Sequence, residues 1–476
     1  MISGITVKAN GKLWKAKMFL YSPIMESSGL LPKDFIHQLS SVLNKKELDL
    51  FCESLNHSPP TSIRINPFKK NKTEKLQPVK WCNEGFYLDK RPSFTLDPVF
   101  HAGAYYVQEA SSMFLEQAVI HSVDTKCPLR VLDLCAAPGG KSTHLLSLIN
   151  NESLLVSNEV IRSRANILSE NILKWGCANV MVTQNDPAHF SRLNGFFDLI
   201  VVDAPCSGEG LFRKEPEAIS EWSSANVGMC SQRQKRILFD VFPALKENGI
   251  LIYCTCTYNH RENEDNLKWL ALEQDIEFIT IPVPHDWGIQ EVLDGNIRAY
   301  RFFPHCVDGE GFFISVMRKR SKETSIKIRQ KEFVRPSKIF IDKLLPWIKN
   351  KSDYDFISNK DSIRLIHTNQ SVEINYLESN LNVIHTGTLL GTVKHGKFIP
   401  EHALALSIHL NMENVCRYEV SEEDALRFLR KETFHLDAGQ SGYALITFNN
   451  LGLGWINCLG NRTNNLYPTH WRIRMK

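Results

Sequence analysis

Two cysteines and an aspartate stand where two apolar, strand-like segments end. Asp203 and Cys206 close the first segment in "VVDAPCSGEG", and Cys256 closes the second in "TCT". A cysteine thiolate is a nucleophile, and a nearby carboxyl group can stabilise charge on a ring that the thiolate attacks. A single free cysteine is more often a small buried hydrophobe, which we expect of Cys135, Cys177 and Cys254. The polar settings of Cys206 and Cys256 instead favour a reactive pair of thiols.

A second candidate is the tight turn in "DLCAAPGGKSTHLL", residues 133–146. Its Pro-Gly-Gly core follows an apolar segment and opens a helical one, so the backbone can approach a ligand closely. The end of this motif resembles a phosphate-binding P-loop, but Cys135 stands where the P-loop requires its first glycine. The turn therefore favours a nucleotide-like ligand other than a nucleoside triphosphate.

Two carboxylates follow the next two strand-like segments. Glu159 lies 19 residues beyond Gly140, close to the spacing at which an acid binds ribose hydroxyls in dinucleotide-binding sheets, and Asp186 ends the following segment. Without a basic cradle for phosphates, this pattern suits S-adenosylmethionine, whose cationic sulfonium favours an acidic pocket. Taken singly, each acid is equally compatible with a helix N-cap.

The elements that must position these residues alternate between strand and helix from residue 129 to residue 320. This alternation predicts a doubly wound, Rossmann-like parallel sheet of the α/β class, in which ligands bind beyond the carboxyl ends of the strands. The strands that end near Cys206 and Cys256 should be neighbours about 4.8 Å apart, so both thiols should face one crevice. The late segment "EGFFISVMRKR" is predicted to be an edge strand.

The 476 residues predict about three compact units, with shorter pieces between them. We expect five segments in chain order: a ragged N-terminal segment at 1–30, a small α+β RNA-binding unit at 31–120, the sheet domain at 121–320, a basic linker at 321–345 and a β-rich C-terminal module at 346–476.

Composition narrows the class of protein. No stretch approaches the roughly 20 apolar residues of a membrane span, no secretory signal is present, and 12 cysteines are too few for a disulfide scaffold. Cysteine pairs with zinc-clip spacing are missing, so no metal is expected. The formal charge is +4, and residues 318–338 carry nine Lys or Arg against two Glu. That segment is either a solvated linker or a site for a phosphate backbone.

Together these motifs resemble one family. "CAAPGGK", "NDP", "DAPCSGEG" and "TCT", with "YYVQEASSM" and "GEGFF", are similar to the NOL1/NOP2/Sun family of RNA cytosine-5 methyltransferases. The C-terminal "GTLLGTVKHGKFIPEHALAL" and "GLGWINCLGNRTNN" resemble the PUA-like RNA-binding module of its bacterial subgroup F, which modifies small-subunit ribosomal RNA.

The resemblance implies a role for each motif residue. Cys256 would be the nucleophile, Cys206 would assist product release, and Asp203 would lie between cofactor and base. Glu159 would bind the ribose of S-adenosylmethionine and Asp186 its adenine. The remainder of the cofactor would be wrapped by Cys135, Ala136, Ala137, Pro138, Gly139, Gly140 and Lys141.

The function expected on these grounds is methylation of C5 of a cytosine in 16S ribosomal RNA through a covalent Cys–C6 adduct. Cytosine C5 is a poor nucleophile until a thiolate adds to C6, so the two thiols account for the chemistry. The expected partner is ribosomal RNA within the small ribosomal subunit, and the chain is expected to act as a cytoplasmic monomer. Two alternatives remain: a tRNA cytosine-5 methyltransferase and a non-catalytic RNA-binding assembly factor.

Further RNA contacts are expected outside these motifs. Arg213, Lys214 and the basic linker are candidates for phosphate binding. Arg64 and Asn66 either lie near RNA or serve the fold. Aromatic residues of the C-terminal module either stack on bases or belong to its core, which is the commoner use: Phe448, Trp455 and Tyr467.

Overall fold

The computed structural model describes residues 31–69, 76–322, 333–432, 441–460 and 462–475, and the backbone of two short paired strands, β1 (Val7–Ala9) and β2 (Lys12–Trp14). Most of the predicted segment 1–30 and the centre of the predicted basic linker, 323–332, lie outside the described residues. No helix in the described ranges has both the length and the apolar character needed to cross a bilayer.

The first unit is a small α+β structure. Its helix α2 begins at a capping box, in which the Asn44 side chain accepts from the Glu47 backbone and the Glu47 side chain accepts from that of Asn44. Four strands form an antiparallel sheet in the order β4-β5-β3-β6. Its helices and strands are α1 (Lys33–Leu39), α2 (Lys45–Ser54), β3 (Thr61–Ile65), β4 (Gln77–Pro78), β5 (Gly85–Leu88), α3 (Pro98–His101), β6 (Tyr105–Val107) and α4 (Leu115–Ile120).

Strand and helix then alternate as predicted. The elements of this second unit are β7 (Arg130–Asp133), α5 (Gly140–Leu148), β8 (Leu154–Asn158), α6 (Arg162–Trp175), β9 (Val180–Thr183), β10 (Phe197–Asp203), α7 (Glu217–Glu221), α8 (Ser224–Val241), β11 (Leu245–Thr255), α9 (Glu264–Glu273), β12 (Ile276–Phe278), β13 (Gln290–Asp294), β14 (Ile297–Phe302) and β15 (Phe312–Lys319).

These strands form a large mixed sheet whose order is β13-β14-β15-β11-β10-β7-β8-β9-β18, with β12 beside β15; β18 is Val383–Thr386. The five central strands from β11 to β9 are parallel, and their apolar residues are buried on both faces. Because the register pairs Asp203 with Cys254 and Asn158 with Thr183, the carboxyl ends of these strands meet at one edge. The predicted Rossmann-like α/β class is confirmed.

The prediction that "EGFFISVMRKR" is an edge strand is wrong. Strand β15 lies inside the sheet, since it pairs with β11 on one side and with β14 and β12 on the other. The hairpin β13–β14 adds two more strands beyond it. The burial of β15 agrees with this position, because only Arg318 among its eight residues is not buried.

The C-terminal part of the chain is β-rich, as predicted, and contains two four-stranded sheets of order β16-β17-β19-β20 and β21-β22-β23-β24. Strand β18 leaves this part and pairs antiparallel with β9 of the large sheet. The remaining elements are α10 (Lys338–Leu344), β16 (Tyr354–Asn359), β17 (Ser362–His367), α11 (Ser371–Asn380), β19 (Thr388–Lys394), β20 (Lys397–Pro400), α12 (His402–Leu406), β21 (Arg417–Glu419), α13 (Glu422–Arg430), β22 (Gly442–Phe448), β23 (Leu451–Cys458) and β24 (Thr463–Asn465).

Four residues considered for RNA contact are buried instead. Trp455 and Tyr467 lie in the cores of the C-terminal sheets. Arg64 is fully buried and donates to Gln108, Thr143 and the Gly140 carbonyl, while Asn66 donates to the carbonyls of Gly103 and Trp175. These four residues therefore serve the fold, which was one of the two predicted alternatives. The other alternative, contact with RNA, is wrong for them.

Candidate active site

A cleft of about 490 Å³ lies at the carboxyl ends of the central strands. It is bounded by the turns that follow β7, β8, β9, β10 and β11, which is where a doubly wound sheet binds its ligands. The structure brings eight of the predicted site residues to this cleft: Cys135, Ala137, Lys141, Glu159, Asp186, Asp203, Cys206 and Cys256.

The two predicted catalytic thiols are in direct contact. The Sγ atoms of Cys206 and Cys256 are 3.0 Å apart, and the Cys256 backbone N–H donates to the Cys206 sulfur at 3.3 Å. The neighbouring parallel strands β10 and β11 produce this contact, since each thiol follows its strand by a few residues. The hydrogen bond with Cys256, burial and the charge of Glu262 raise the pKa of Cys206 well above its usual range. Cys206 therefore keeps its proton and can donate it toward the Cys256 sulfur.

Two buried carboxylates hold the loops that carry these thiols. Glu209 accepts hydrogen bonds from the Thr257 hydroxyl at 2.6 Å, from the Tyr258 backbone at 2.8 Å and from the Trp222 ring at 3.0 Å. Glu262 accepts from the Ser207 backbone at 2.9 Å and from its hydroxyl. Each carboxylate thus ties the loop after β10 to the loop after β11, and this fixes the approach of the two sulfurs.

Sequence reasoning missed Glu209 and Glu262. Glu209 stands inside the quoted motif "DAPCSGEG", three residues beyond Cys206, so its proximity to the thiol was visible. Nothing in the spacing distinguished it from an exposed loop acid, because burial depends on the packing of the other loop. Glu262 has no local pattern of its own, and burial raises its pKa.

Asp203 is paired with the lysine of the glycine-rich turn. The Lys141 Nζ lies 2.8 Å from an Asp203 carboxylate oxygen and 5.1 Å from the centre of the Phe312 ring. Burial opposes the charged form of Lys141, but the neighbouring charge of Asp203 outweighs it and raises the lysine pKa above its usual value. The Asp203 side chain is 36% exposed, so its carboxylate is accessible from the cleft. Lys141, its ion-pair partner, lines the same cleft.

The glycine-rich turn reaches the cleft with only some of its residues. Cys135, Ala137 and Lys141 line it. The other four predicted turn residues are not among the lining residues: Ala136, Pro138, Gly139 and Gly140.

The residues outside the lining contact other elements. The carbonyl of Pro138 accepts from the Asn171 side chain at 2.8 Å, and a side chain added at Gly139 would meet Leu168 on the same helix. Gly139 has φ of +116°, a conformation that side chains disfavour, and it allows α5 to begin directly after the turn.

The two acids predicted for the cofactor both line the cleft, but only Asp186 caps a helical turn. Glu159 accepts from the Ile161 backbone at 2.9 Å and lies 3.4 Å from Arg164. Asp186 accepts from the Ala188 backbone at 3.1 Å. The N-cap alternative is therefore correct for Asp186, where it is compatible with the cleft position, and wrong for Glu159, because α6 begins at Arg162 with Ile161 as its N-cap.

A further acid lies beneath the cleft. Asp133 at the end of β7 is fully buried, and one of its oxygens accepts from the Ser142 hydroxyl at 2.6 Å. The other oxygen has no hydrogen-bond partner among the described residues. Burial raises the pKa of Asp133 to about 7, although the Ser142 hydrogen bond works in the opposite direction. Sequence reasoning did not select this residue, which reads as the last residue of a strand.

The two residues predicted to contact phosphate, Arg213 and Lys214, have different surroundings in the structure. Arg213 forms an ion pair with Glu310, with a nitrogen–oxygen distance of 3.0 Å, and both side chains are almost completely buried. The prediction that Arg213 binds phosphate is therefore wrong for this structure, because its guanidinium is already occupied. Lys214 is exposed.

One buried group outside the cleft has the donor types of a metal site. Cys82, Glu116 and His144 lie with their donor atoms within 4.8 Å of one another. The His144 Nε2 is 3.2 Å from a Glu116 oxygen and 3.8 Å from the Cys82 sulfur. Burial, with the nearby Arg64, lowers the pKa of His144 to about 4, so the neutral ring donates to the Glu116 carboxylate. These contacts describe a structural triad, and we assign no metal to it.

Comparison with protein families gives four matches along the chain. The family model for 16S rRNA methyltransferase RsmB/F matches residues 122–318. The N-terminal domain of 16S rRNA methyltransferase RsmF matches residues 31–110, the first C-terminal domain of the RsmF rRNA methyltransferase matches residues 372–408, and the methyltransferase RsmF PUA domain matches residues 416–473. The expected PUA domain is confirmed in the C-terminal region.

Individual proteins agree with these matches. Ribosomal RNA small subunit methyltransferase F of Psychromonas ingrahamii is 33% identical over 337 residues, which cover 66% of this chain and 69% of that protein. The protein of the same name from Escherichia coli is 28% identical over 466 residues, or 92% of this chain and 95% of that one. The crystal structure of PH0851 aligns with a TM-score of 0.55 and 26% identity, over 63% of this chain and 70% of that one. The chain thus belongs to the RsmB/F family of 16S rRNA methyltransferases.

Proposed function

We propose that this protein transfers a methyl group from S-adenosylmethionine to C5 of a cytosine in 16S ribosomal RNA, through a covalent bond between Cys256 and C6 of the base. The observation that carries the proposal is the pair of thiols 3.0 Å apart at the ends of adjacent strands, in a cleft that also holds Asp203. Membership of the 16S rRNA methyltransferase family supports ribosomal RNA as the substrate class.

The cleft has the donor set that S-adenosylmethionine requires. Three carboxylates from successive turns line it: Glu159, Asp186 and Asp203. Each of these carboxylates has a basic partner that also lines the cleft: Arg164 for Glu159, Arg236 for Asp186 and Lys141 for Asp203. Arg233 is a further basic residue of the lining. When bound, S-adenosylmethionine supplies an electrophilic methyl group on a cationic sulfur, which an acidic pocket favours. In this proposal Glu159 holds the ribose, Asp186 the adenine and the turn at 135–141 the remainder.

Cys256 performs the first covalent step. Its thiolate adds to C6 of the cytosine, so that a sulfur–carbon bond forms and the electron pair of the C5–C6 double bond becomes available at C5. C5 then forms its bond to the methyl carbon while the bond between that carbon and the donor sulfur breaks, and the electron pair of the broken bond leaves with the sulfur. Removal of the C5 proton by a base re-forms the double bond, and the electrons of the sulfur–carbon bond return to Cys256.

Asp203 and Cys206 act on the same ring from two sides. Addition at C6 places negative charge on the ring. Asp203 takes part in this step in its protonated form and donates its proton to N3, and the carboxylate that results is the form that pairs with Lys141. Cys206 keeps its proton because its pKa is raised, and it donates to the Cys256 sulfur as that sulfur leaves. The target base must first leave its stack, which costs a few kcal/mol and is offset by contacts in the cleft.

The proposal also includes the substrate, which is ribosomal RNA within the small subunit, and the oligomeric state of the protein. We propose that a monomer acts on ribosomal RNA within the small subunit, and the RsmF-type domains matched at both ends of the chain support this over a tRNA substrate. Purified transfer RNA serves as the comparison substrate in the test below.

The test is methyl transfer to small ribosomal subunits isolated from cells that lack the protein. The wild type is expected to form 5-methylcytidine in 16S RNA, whereas Cys256→Ala is expected to lose at least about 1,000-fold in rate because no adduct can form. Cys177→Ala, which removes a buried thiol away from the cleft, should keep activity. Retained activity in Cys256→Ala, or a methyl group on another atom, would refute the proposal.

A further inference from the structure

A second cavity of about 700 Å³ opens beside the catalytic cleft. We call it the side groove. The end of β5 and the start of β3 form one wall, where Thr61 pairs with Leu88, and Lys214 and Glu215 from the loop after β10 form the other. The N-terminal unit and the sheet domain therefore build this groove jointly.

The side groove lies directly beside the catalytic cleft. Glu109 and Glu310 line both cavities, so they form the wall that the two share. Within the described ranges, only Glu310 of these two carboxylates is neutralised by a cation. Glu109 accepts from the backbones of Ser111, Ser112 and Glu310, each within 2.9 Å, and Glu310 is bound by Arg213. A chain that leaves the cleft therefore passes one neutralised acid, Glu310, and one acid whose oxygens are held by backbone donors, Glu109.

Three cations of the groove are available to a ligand. Lys90, Arg91 and Lys214 are exposed along it, and within the described part of the chain none of them lies in an ion pair. Asp89 and Glu215 are the exposed acids that oppose them. Within the described residues, three acids of the groove also lack a cationic partner, namely Asp89, Glu109 and Glu215. Three cations spaced along a groove beside a base-binding cleft fit a flexible strand of phosphates rather than a compact anion.

We propose that the side groove binds the single-stranded RNA that flanks the target cytosine, with Lys90, Arg91 and Lys214 contacting its phosphates. The inference rests on the proposed function and adds the path of the strand. A flipped base draws its neighbours toward the same opening, so the flanking backbone must lie against the surface next to the cleft. The side groove is that surface, and Pro59, Pro60 and Leu88 give it apolar area on which an unstacked base can rest.

The test compares the variant Lys90→Ala/Arg91→Ala/Lys214→Ala with the wild type in binding to protein-free 16S RNA and in methyl transfer. The matched control is Lys45→Ala/Lys46→Ala, which removes two exposed lysines of α2 that line a different surface depression. The three phosphate contacts predict that the slope of log affinity against log salt becomes shallower by about 2, since each contact on a single strand contributes about 0.7. We expect KM to rise at least tenfold with kcat changed less than about threefold.

Equal salt slopes for the triple variant and the wild type would overturn the inference, whatever the activity. A loss seen with assembled subunits but not with protein-free RNA would also overturn it, because the groove would then contact a ribosomal protein. Binding is measured separately from methyl transfer, so a failure of the proposed function appears as a wild type that binds RNA and does not form 5-methylcytidine.

Discussion

At the residue scale, the chemistry depends on where the proton of the two thiols resides. Cys206 receives a hydrogen bond from the Cys256 backbone and lies 3.0 Å from the Cys256 sulfur. Because burial and the Glu262 charge add to the effect of that contact, the raised pKa of Cys206 keeps its proton in place. In the proposed mechanism the two cysteines are therefore not equivalent: Cys206 is the proton donor of the pair, and Cys256 attacks the base.

This asymmetry predicts the behaviour of Cys206→Ala. Without the donor beside it, the Cys256 sulfur is a poorer leaving group, so we expect a protein–RNA adduct to accumulate. Denaturing gel electrophoresis after incubation with 16S RNA and S-adenosylmethionine should show a slower band at more than about ten times the wild-type amount. The double variant Cys206→Ala/Cys256→Ala should show no such band. An adduct that persists in the double variant would remove the role assigned to Cys256.

Several site residues could be predicted from sequence because they sit at strand ends. Cys206 and Cys256 each follow an apolar strand, and the order of a doubly wound sheet makes those strands neighbours. The roles of Arg64 and Arg213 were harder to predict, since a basic residue gives no local sign of whether it contacts RNA or a buried acceptor within the protein. Glu310, which pairs with Arg213, lies 97 residues away in sequence.

At the element scale, two loops must keep their separation for the thiols to meet. Glu209 and Glu262 perform this task by bonding across the loops after β10 and β11. Buried carboxylates are costly unless their hydrogen bonds are satisfied, and here each accepts several. The catalytic geometry is thus maintained by a polar network rather than by the sheet alone.

Glu209→Ala should therefore destabilise the protein strongly. It leaves the Trp222 ring, the Thr257 hydroxyl and the backbones of Tyr258 and Asn259 without their buried acceptor. We expect the free energy of unfolding to fall by about 3 to 5 kcal/mol. Urea unfolding followed by tryptophan fluorescence measures it, with Glu53→Ala on exposed α2 as the control. A loss below about 1 kcal/mol would show that the network carries little of the stability.

The misplaced edge strand shows what periodicity leaves out. "EGFFISVMRKR" was identified as a strand, and β15 matches it, but its neighbours were not predicted. Strand β13 is largely exposed and contains two acids among five residues, so it has no apolar signature. An exposed outer strand is visible only through its pairing with β14, which sequence patterns do not reveal.

At the scale of the whole molecule, the C-terminal part is joined to the sheet domain at several points, two of which involve the backbone hydrogen bonds of β18 and of Ile408. Strand β18 extends the large sheet beyond β9, and the segment after α12 packs on the end of α6. At that second point the Ile408 backbone donates to the Gly176 carbonyl at 3.1 Å. The β-rich region was predicted from its composition, whereas the strand that it lends to the other domain was not, because inter-domain pairing leaves no local pattern.

Gly176 tests the second junction. It has φ of +91°, and a Cβ there would lie 2.4 Å from the Leu406 carbonyl oxygen. Gly396 has φ of +71° with open space around it, so Gly396→Ala measures conformational strain alone, about 1 kcal/mol. We expect Gly176→Ala to lower stability by about 1 to 3 kcal/mol more than this, because the two parts of the chain must separate. Calorimetric melting compares the two variants, and equal melting temperatures would contradict the close packing.

The covalent bond between Cys256 and the cytosine is tested most directly by locating the RNA–protein bond in the protein. Adduct formed by Cys206→Ala is digested with nuclease and trypsin, and the cytidine-bearing peptide is sequenced by mass spectrometry. The proposed mechanism predicts cytidine, or its methylated form, on Cys256 in the peptide that spans residues 247–261. Attachment at Cys254 in the same peptide, attachment at any other cysteine, or an adduct without pyrimidine would contradict it.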